Sequence, residues 1–310
     1  MPKIIKANPK RTENFTCKIY NLVFLGDMIS RYGNRYKIRK VYDRCEFCIQ
    51  NIKFTLRKTR EGRALFSATN IRPTMYCTSI LTAKVEENDK GKVREIIHNL
   101  AQLLTLISGQ QVGYSYIIRM NKTVISENKS SQIEPFCSRY PIVPIQTKRY
   151  ALKSFIESSY DGYIANKKPY NLDRLIHLHL LSCIARIKEI RFLTSCILIE
   201  SLKYHFAKYV RKFKQNKRGY FVDSDCNELT FASLLRLLGK QFGMNIDTSF
   251  IKIRNEIIHQ GIVENPSIDL SDAWAKLMNH INRLLLKIIG YKGIYYKLNR
   301  TLSMKEANLK

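Results

Sequence analysis

The apolar period of this chain changes about halfway along it, and that change limits the fold more than any other feature. From Phe15 to about Pro144, short runs rich in β-branched and aromatic residues alternate with Gly, Asn and charged turns such as Arg60-Glu61-Gly62-Arg63. The runs are Cys17 to Leu25, Tyr36 to Val41, Glu46 to Leu56, Leu65 to Asn70 and Met75 to Val85, the texture of a hairpin-built sheet. One helix interrupts them: Val93, Ile96, Ile97, Leu100, Leu103, Leu104 and Ile107 recur at spacings of three and four before Gly109. Extended segments return at Gly113 to Ile125. Tyr140-Pro141-Ile142-Val143-Pro144 cannot propagate a helix, which puts a domain boundary near residue 148. Beyond it the pattern is helical, with helices expected at about 149 to 164, 171 to 189, 190 to 213, 228 to 241, 247 to 260 and 271 to 289. The reading is α+β: a strand-rich domain with one helix over residues 1–148, then an all-α bundle over 149–310.

A chain of 310 residues has room for two such domains. Its 45% apolar and 25% charged content excludes collagenous, mucin-like and wholly disordered classes. The departure from average is in sign: 53 Lys plus Arg against 25 Asp plus Glu leave a formal charge of +28. A polyanion is the partner this excess implies, although an AT-rich genome also enriches a chain in Lys, Ile and Asn. The start, MPKIIKANPKRTENF, lacks the apolar stretch of a secretory signal, and no window is long and apolar enough to span a bilayer. A cytoplasmic protein without membrane association is expected. The eight scattered cysteines read as free thiols. Cys45 and Cys48 stand at ligand spacing, but no second pair follows, and a strand would point them to opposite faces.

Positive charge concentrates between Ser201 and Val222. Lys203, Lys208, Arg211, Lys212, Lys214, Lys217 and Arg218 occur there without one acid, interleaved with Tyr204, Tyr209, Phe213, Tyr220 and Phe221. Cations that neutralise phosphates beside rings that stack on bases suit single-stranded or looped nucleic acid; a solvated helix end gives the same pattern. A second basic stretch, Arg31 to Arg63, reads as a solvated strand face.

Six histidines supply the candidates for proton transfer near neutral pH. His98, His205 and His280 lie on amphipathic helices without an obvious partner. His177 and His179, two apart, point to different sides of a helix. The remaining candidate is Phe250-Ile-Lys-Ile-Arg254-Asn255-Glu256-Ile257-Ile258-His259-Gln260-Gly261, a helix that Gly261 should cap. Phe250, Ile253 and Ile257 form a core stripe, and Ile251, Ile258 and Ile262 form a second apolar patch. Asn255 and His259, at i and i+4, project together beside that patch, within reach of Arg254.

Arg254-Asn255-xxx-His259 resembles the signature of the HEPN superfamily of nucleotide-binding and ribonuclease domains. The layout of a strand-rich domain ahead of a helical one is similar to that of the ApeA-type anti-phage proteins within it. The motif's spacing recurs at Arg174 to His179, where Leu175 stands in place of the polar residue. Similar sequences often read His-Gly, whereas Gln260 intervenes here. The resemblance implies a homodimeric endoribonuclease that cuts RNA without a metal or other cofactor. In it, His259 would move a proton at the ribose 2′-OH or the leaving 5′ oxygen, Arg254 would hold the scissile phosphate and Asn255 would orient it. Glu200, an acid in the apolar run Leu198 to Leu202, would pair with Arg254 or face solvent. The implied role is disabling translation during infection, with structured RNA such as tRNA as substrate and a phage-derived trigger sensed by the strand-rich domain. Two other functions fit the residues: a non-catalytic RNA- or nucleotide-binding module of the same fold, and a DNA-binding regulator carried by charge alone.

Overall fold

A computed structural model describes residues 12–32, 39–67, 75–86, 89–120, 123–128 and 140–309. The chain divides into two compact units, one made of residues 1–101 and 112–136 and the other of residues 102–111 and 137–310. The architecture is α+β.

The first unit contains a seven-stranded antiparallel sheet in the order β2-β3-β4-β5-β1-β6-β7. Its strands are β1 Thr12–Tyr20, β2 Met28–Tyr32, β3 Arg39–Ile49, β4 Ile52–Lys58, β5 Cys77–Glu86, β6 Gly113–Met120 and β7 Thr123–Asn128. Alternation is clean along β4, where Ile52, Phe54, Leu56 and Lys58 are buried and Lys53 and Arg57 exposed. The expected run Glu46 to Leu56 is in fact two strands, because Gln50 and Asn51 both take positive φ (49° and 67°). With Ile49 paired to Ile52, they form a two-residue hairpin loop. Cys45 is buried and Cys48 exposed, on opposite faces of β3.

Arg60-Glu61-Gly62-Arg63, expected as a turn, is the first turn of helix α1, Arg60–Ser67, and Leu65 lies in that helix rather than in a strand. The Thr59 hydroxyl accepts from the Gly62 N–H (3.0 Å) and donates to the Cys77 carbonyl (2.6 Å), capping the helix and tying it to β5. Gly62 packs so closely on the Thr78 carbonyl that a Cβ would collide with it. The remainder of that expected strand, and the first half of Tyr36 to Val41, lie outside the described residues. Helix α2, Lys90–Ser108, buries every apolar residue of its predicted stripe and ends at Gly109 with φ 66°.

The second unit carries α3 Ala151–Tyr170, α4 Leu172–Ile184, α5 Lys188–His205, a π-helical turn Phe206–Val210, α6 Phe231–Gln241, α7 Phe250–Gln260 and α8 Leu270–Ile288. It is not all-α as expected. Two hairpins complete it: β8 Lys214–Gln215 with β9 Phe221–Val222, and β10 Ile294–Leu298 with β11 Met304–Asn308. The helix expected over 190 to 213 stops early because the chain reverses there. Lys212 takes φ 55°, and the Phe213 N–H returns to the Ala207 carbonyl (3.0 Å), which lets Phe221 bury against Ala207 and Leu234. The helix expected over 171 to 189 breaks at Ala185, whose carbonyl accepts two bonds from the Arg191 guanidinium (2.9 and 2.7 Å).

Helix α8 is the axis of this unit. Trp274, Leu277, Ile281, Leu285 and Ile288 are all buried along it, as a 3.6-residue period requires. Its start is capped by Asp269, which accepts from the Ser271 and Asp272 N–H groups. The Trp274 indole donates to Ser195 of α5 (3.1 Å). The Asn279 side chain bonds both the N–H and the carbonyl of Leu298 (2.8 Å each), fixing the last hairpin on α8. Among the described residues no helix is long and apolar enough to cross a membrane.

Candidate functional site

Helix α7 is amphipathic in two directions. Phe250 and Ile257 are buried and Ile253 is half-buried, so one stripe faces the core. Asp247 accepts from both the N–H and the hydroxyl of Ser249 (2.8 and 2.7 Å) at the start of the helix. At the other end Gly261 takes the left-handed conformation (φ 79°) and donates to the Ile257 carbonyl (2.9 Å), the geometry of a glycine C-cap. Gln260 therefore completes the helix without disturbing its exit.

The opposite side of α7 carries Arg254, Asn255, Ile258 and His259. Asn255 and His259 are exposed, and Ile258 and Ile262 are 53% and 56% exposed. Ile251 is half-buried. The His259 imidazole thus opens to solvent in a single chain, one turn beyond Asn255.

Arg254 is held from the neighbouring helix. Its guanidinium donates to the Glu200 carboxylate of α5 (3.2 Å) and to the Asn255 side-chain oxygen (3.3 Å). Lys203, one turn along α5, places its ammonium 3.9 Å from the same carboxylate. Both cations share one ring: Phe231, the first residue of α6, lies 4.4 Å from the Lys203 ammonium and 5.9 Å from the Arg254 guanidinium, measured to its centroid. Phe231 also meets Phe250 edge-on at 6.2 Å. Phe231 thus ties α6 to both α5 and α7 at the level of the Arg254–Glu200 pair.

Burial is the main cause that holds the Lys203 ammonium below the usual lysine range; Glu200 pulls it up and Arg254 pushes it further down. The Cys196 thiol, one turn before Glu200, is pushed up to about 12, first by burial, and is therefore inert. The site is one carboxylate between two cations on an aromatic floor, with an amide and an imidazole exposed beside it.

Of the seven cations proposed from sequence to bind RNA, Lys203 belongs to this cluster, with only 12% of its side chain exposed. Lys208, Arg211, Lys212, Lys214, Lys217 and Arg218 are exposed along the π-helical turn and the β8–β9 hairpin. In the alternative motif Arg174 is exposed while His179 is part of the core, so the two do not share a site. His179 is fully buried, bonds Asn282 through Nε2 (2.8 Å) and has its pKa pulled down to about 4 by burial. His205 bonds the Ser201 carbonyl (2.8 Å), His98 faces the Tyr114 hydroxyl (3.4 Å), and His280 is half-buried on α8. Sequence reasoning missed Phe231, which follows the N-cap Thr230 and reads as an ordinary first helical residue. Compared with family models, with characterised proteins and with solved structures, the chain matches none.

Proposed function

We propose that the protein is a metal-independent endoribonuclease of HEPN type, with Arg254, Asn255 and His259 as its catalytic residues and Glu200 as the residue that positions Arg254. The observation that carries this reading is the placement of Arg254: a guanidinium fixed by a carboxylate and an aromatic ring and bonded to the exposed amide of Asn255, one turn before the exposed imidazole of His259. Such a group binds a phosphodiester with its remaining N–H donors and stabilises charge on the non-bridging oxygens as the phosphorus becomes five-coordinate. His259 removes the proton of the ribose 2′-OH, whose oxygen attacks phosphorus, or gives a proton to the departing 5′ oxygen. One P–O bond forms and one breaks, leaving a 2′,3′-cyclic phosphate and a 5′-OH.

A homodimer supplies both roles at once, one imidazole acting as base and its symmetry mate as acid. The exposed Ile258 and Ile262, with the half-buried Ile251, would form the apolar seam across which two copies of α7 meet. Structured RNA such as tRNA as substrate, a part in anti-phage defence and sensing of a phage-derived trigger by the first unit are proposals that rest on the resemblance alone.

The test is cleavage of a tRNA pool in EDTA by the full chain, beside His259→Ala and Arg254→Ala. Loss of a general acid or base costs about 10²- to 10⁴-fold, or about 3 to 5 kcal/mol of barrier. Undiminished cleavage by His259→Ala would overturn the assignment. Tight, salt-sensitive binding without cleavage by the unsubstituted protein would make it a non-catalytic RNA-binding module instead.

A further inference from the structure

The segment 201–222 has no acid in sequence, and the fold sorts its seven cations. Lys203 turns inward to Glu200, Arg218 is bound by Glu228 (2.6 Å), and the Lys208 ammonium donates to the Tyr204 hydroxyl (2.9 Å). Arg211, Lys212, Lys214 and Lys217 remain exposed, with no ion pair among the described residues. They ride on a rigid frame. The Asn216 side-chain oxygen accepts from the N–H groups of Arg218 and Tyr220 (3.0 Å each), Gln215 donates to the Gly219 carbonyl (2.9 Å), and Phe221 is buried beneath against Ala207 and Leu234.

Strand alternation then decides what faces outward. With Phe221 pointing in, Tyr220 and Val222 point out, and Lys214, paired with Val222, shares their face. Tyr220 is 53% exposed, and Tyr209, in the π-helical turn that reverses the chain, is 49% exposed. Tyr209 carries Lys208 (5.3 Å) and His205 (5.6 Å) against its ring and Tyr220 carries Arg218 (5.8 Å), and each ring leaves about half of its surface open on a segment that also exposes Arg211, Lys212, Lys214 and Lys217. Such a surface is complementary to a ligand that offers phosphates and flat π-faces together. A duplex offers only its phosphates, because its base faces are stacked on one another, and an acidic protein surface offers no array of π-faces.

We infer that the π-helical turn and β8–β9 hairpin bind an unpaired polynucleotide strand, with Tyr209 and Tyr220 stacking on its bases and Arg211, Lys212, Lys214 and Lys217 holding its backbone. Ala207, on which the hairpin packs, lies seven residues beyond Glu200, about 10 Å along the helix. A strand laid on the hairpin therefore reaches toward Arg254. Resting on the proposed ribonuclease activity, this names the substrate class: RNA with an unpaired segment, cut beside it.

The experiment uses the full chain carrying Arg254→Ala, so that the probe stays intact, and reads fluorescence anisotropy. The probes are a labelled uridine-rich oligoribonucleotide and the same strand annealed to its complement. The single strand binds more tightly, and Tyr209→Ala and Tyr220→Ala each weaken it about 5- to 150-fold while leaving the duplex unchanged. Tyr220→Trp, which keeps a π-face, retains single-strand binding. Replacing Lys212, Lys214 and Lys217 together by Ala lowers the slope of log affinity against log salt by about 2. Equal binding of both probes, or tyrosine variants that bind like the parent, overturns the inference. Cleavage is scored separately with the unsubstituted chain: its absence alongside ring-dependent binding defeats only the nuclease proposal, and its presence without ring dependence defeats only this one.

Discussion

Replacing Glu200 by Gln removes the one negative charge between Arg254 and Lys203 while keeping an oxygen that can accept from the guanidinium. At the observed 3.2 Å the Arg254–Glu200 attraction is about 1 kcal/mol at the dielectric of water and about 5 kcal/mol at an effective value of 20. The carboxylate is 40% exposed and the guanidinium 28%, so the net contribution lies toward the lower end, about 1 to 2 kcal/mol. Two cations then share the Phe231 ring with no counterion, and Lys203, already held below its usual range by burial, is displaced further down. Urea denaturation should show the loss of about 1 to 2 kcal/mol. Single-turnover RNA cleavage should fall by more than stability does, about a hundredfold, because a catalytic group shifted by about 1 Å loses that much. Adding Lys203→Met removes the repulsion and should restore part of the stability, a coupling of about 0.5 to 3 kcal/mol. Full cleavage by a destabilised Glu200→Gln would show that Arg254 meets the phosphate without Glu200. Unchanged stability would show that the ion pair contributes nothing.

His179 is fully buried and neutral, with its pKa lowered from 6.5 to about 4. Below about pH 6.5 the unfolded chain takes up a proton that the folded chain refuses, so stability is intact above that pH and falls as pH drops toward 4. The loss is about 3 kcal/mol, measured by urea denaturation at both ends of the window, and His179→Gln should lack most of it. Asn279→Ala leaves the N–H and carbonyl of Leu298 without their side-chain partners; about 2 kcal/mol should be lost, with faster amide exchange at Leu298. Ile258→Asp with Ile262→Asp should leave the fold intact, since both side chains are exposed, and should turn the proposed dimer into a monomer by light scattering. A dimer that survives both substitutions would move the seam elsewhere.

Long elements were legible because their periods repeat. The stripes of α2 and α8 could be read residue by residue, and every apolar position named along them is buried. Short reversals were not. Gln50-Asn51 closes a two-residue hairpin with no glycine to announce it. Gly62 looks like a turn glycine but sits inside α1, where its missing side chain admits the Thr78 carbonyl. The two hairpins of the second unit were hidden for different reasons. The helical period expected over 190 to 213 runs past the point where Lys212 at φ 55° reverses the chain without a glycine, and nothing local in the stretch after it announces strands. The β10–β11 pair depends on Asn279, a polar residue inside an apolar stripe, whose two bonds to Leu298 are a long-range contact that no local pattern encodes.

The same limit explains the division of the basic segment. In sequence Lys203 and Lys214 are equivalent members of one acid-free run. Lys203 lies one helical turn from Glu200 on a face closed by Phe231, so its charge is spoken for by a neighbour within the fold. Lys214 lies beyond the chain reversal, on the outer face of a hairpin whose inner face is taken by Phe221. What separates a cation that shapes the candidate site from one that can meet a ligand is which side of Phe221 and Phe231 it occupies, and these rings are placed by packing that includes Leu234 for Phe221 and Phe250 for Phe231, residues outside the basic run. Substituting Lys203 should therefore act through Arg254 and cleavage, whereas substituting Lys214 should act through affinity and its salt dependence. A common effect of the two would mean that the run behaves as the single basic patch its sequence resembles.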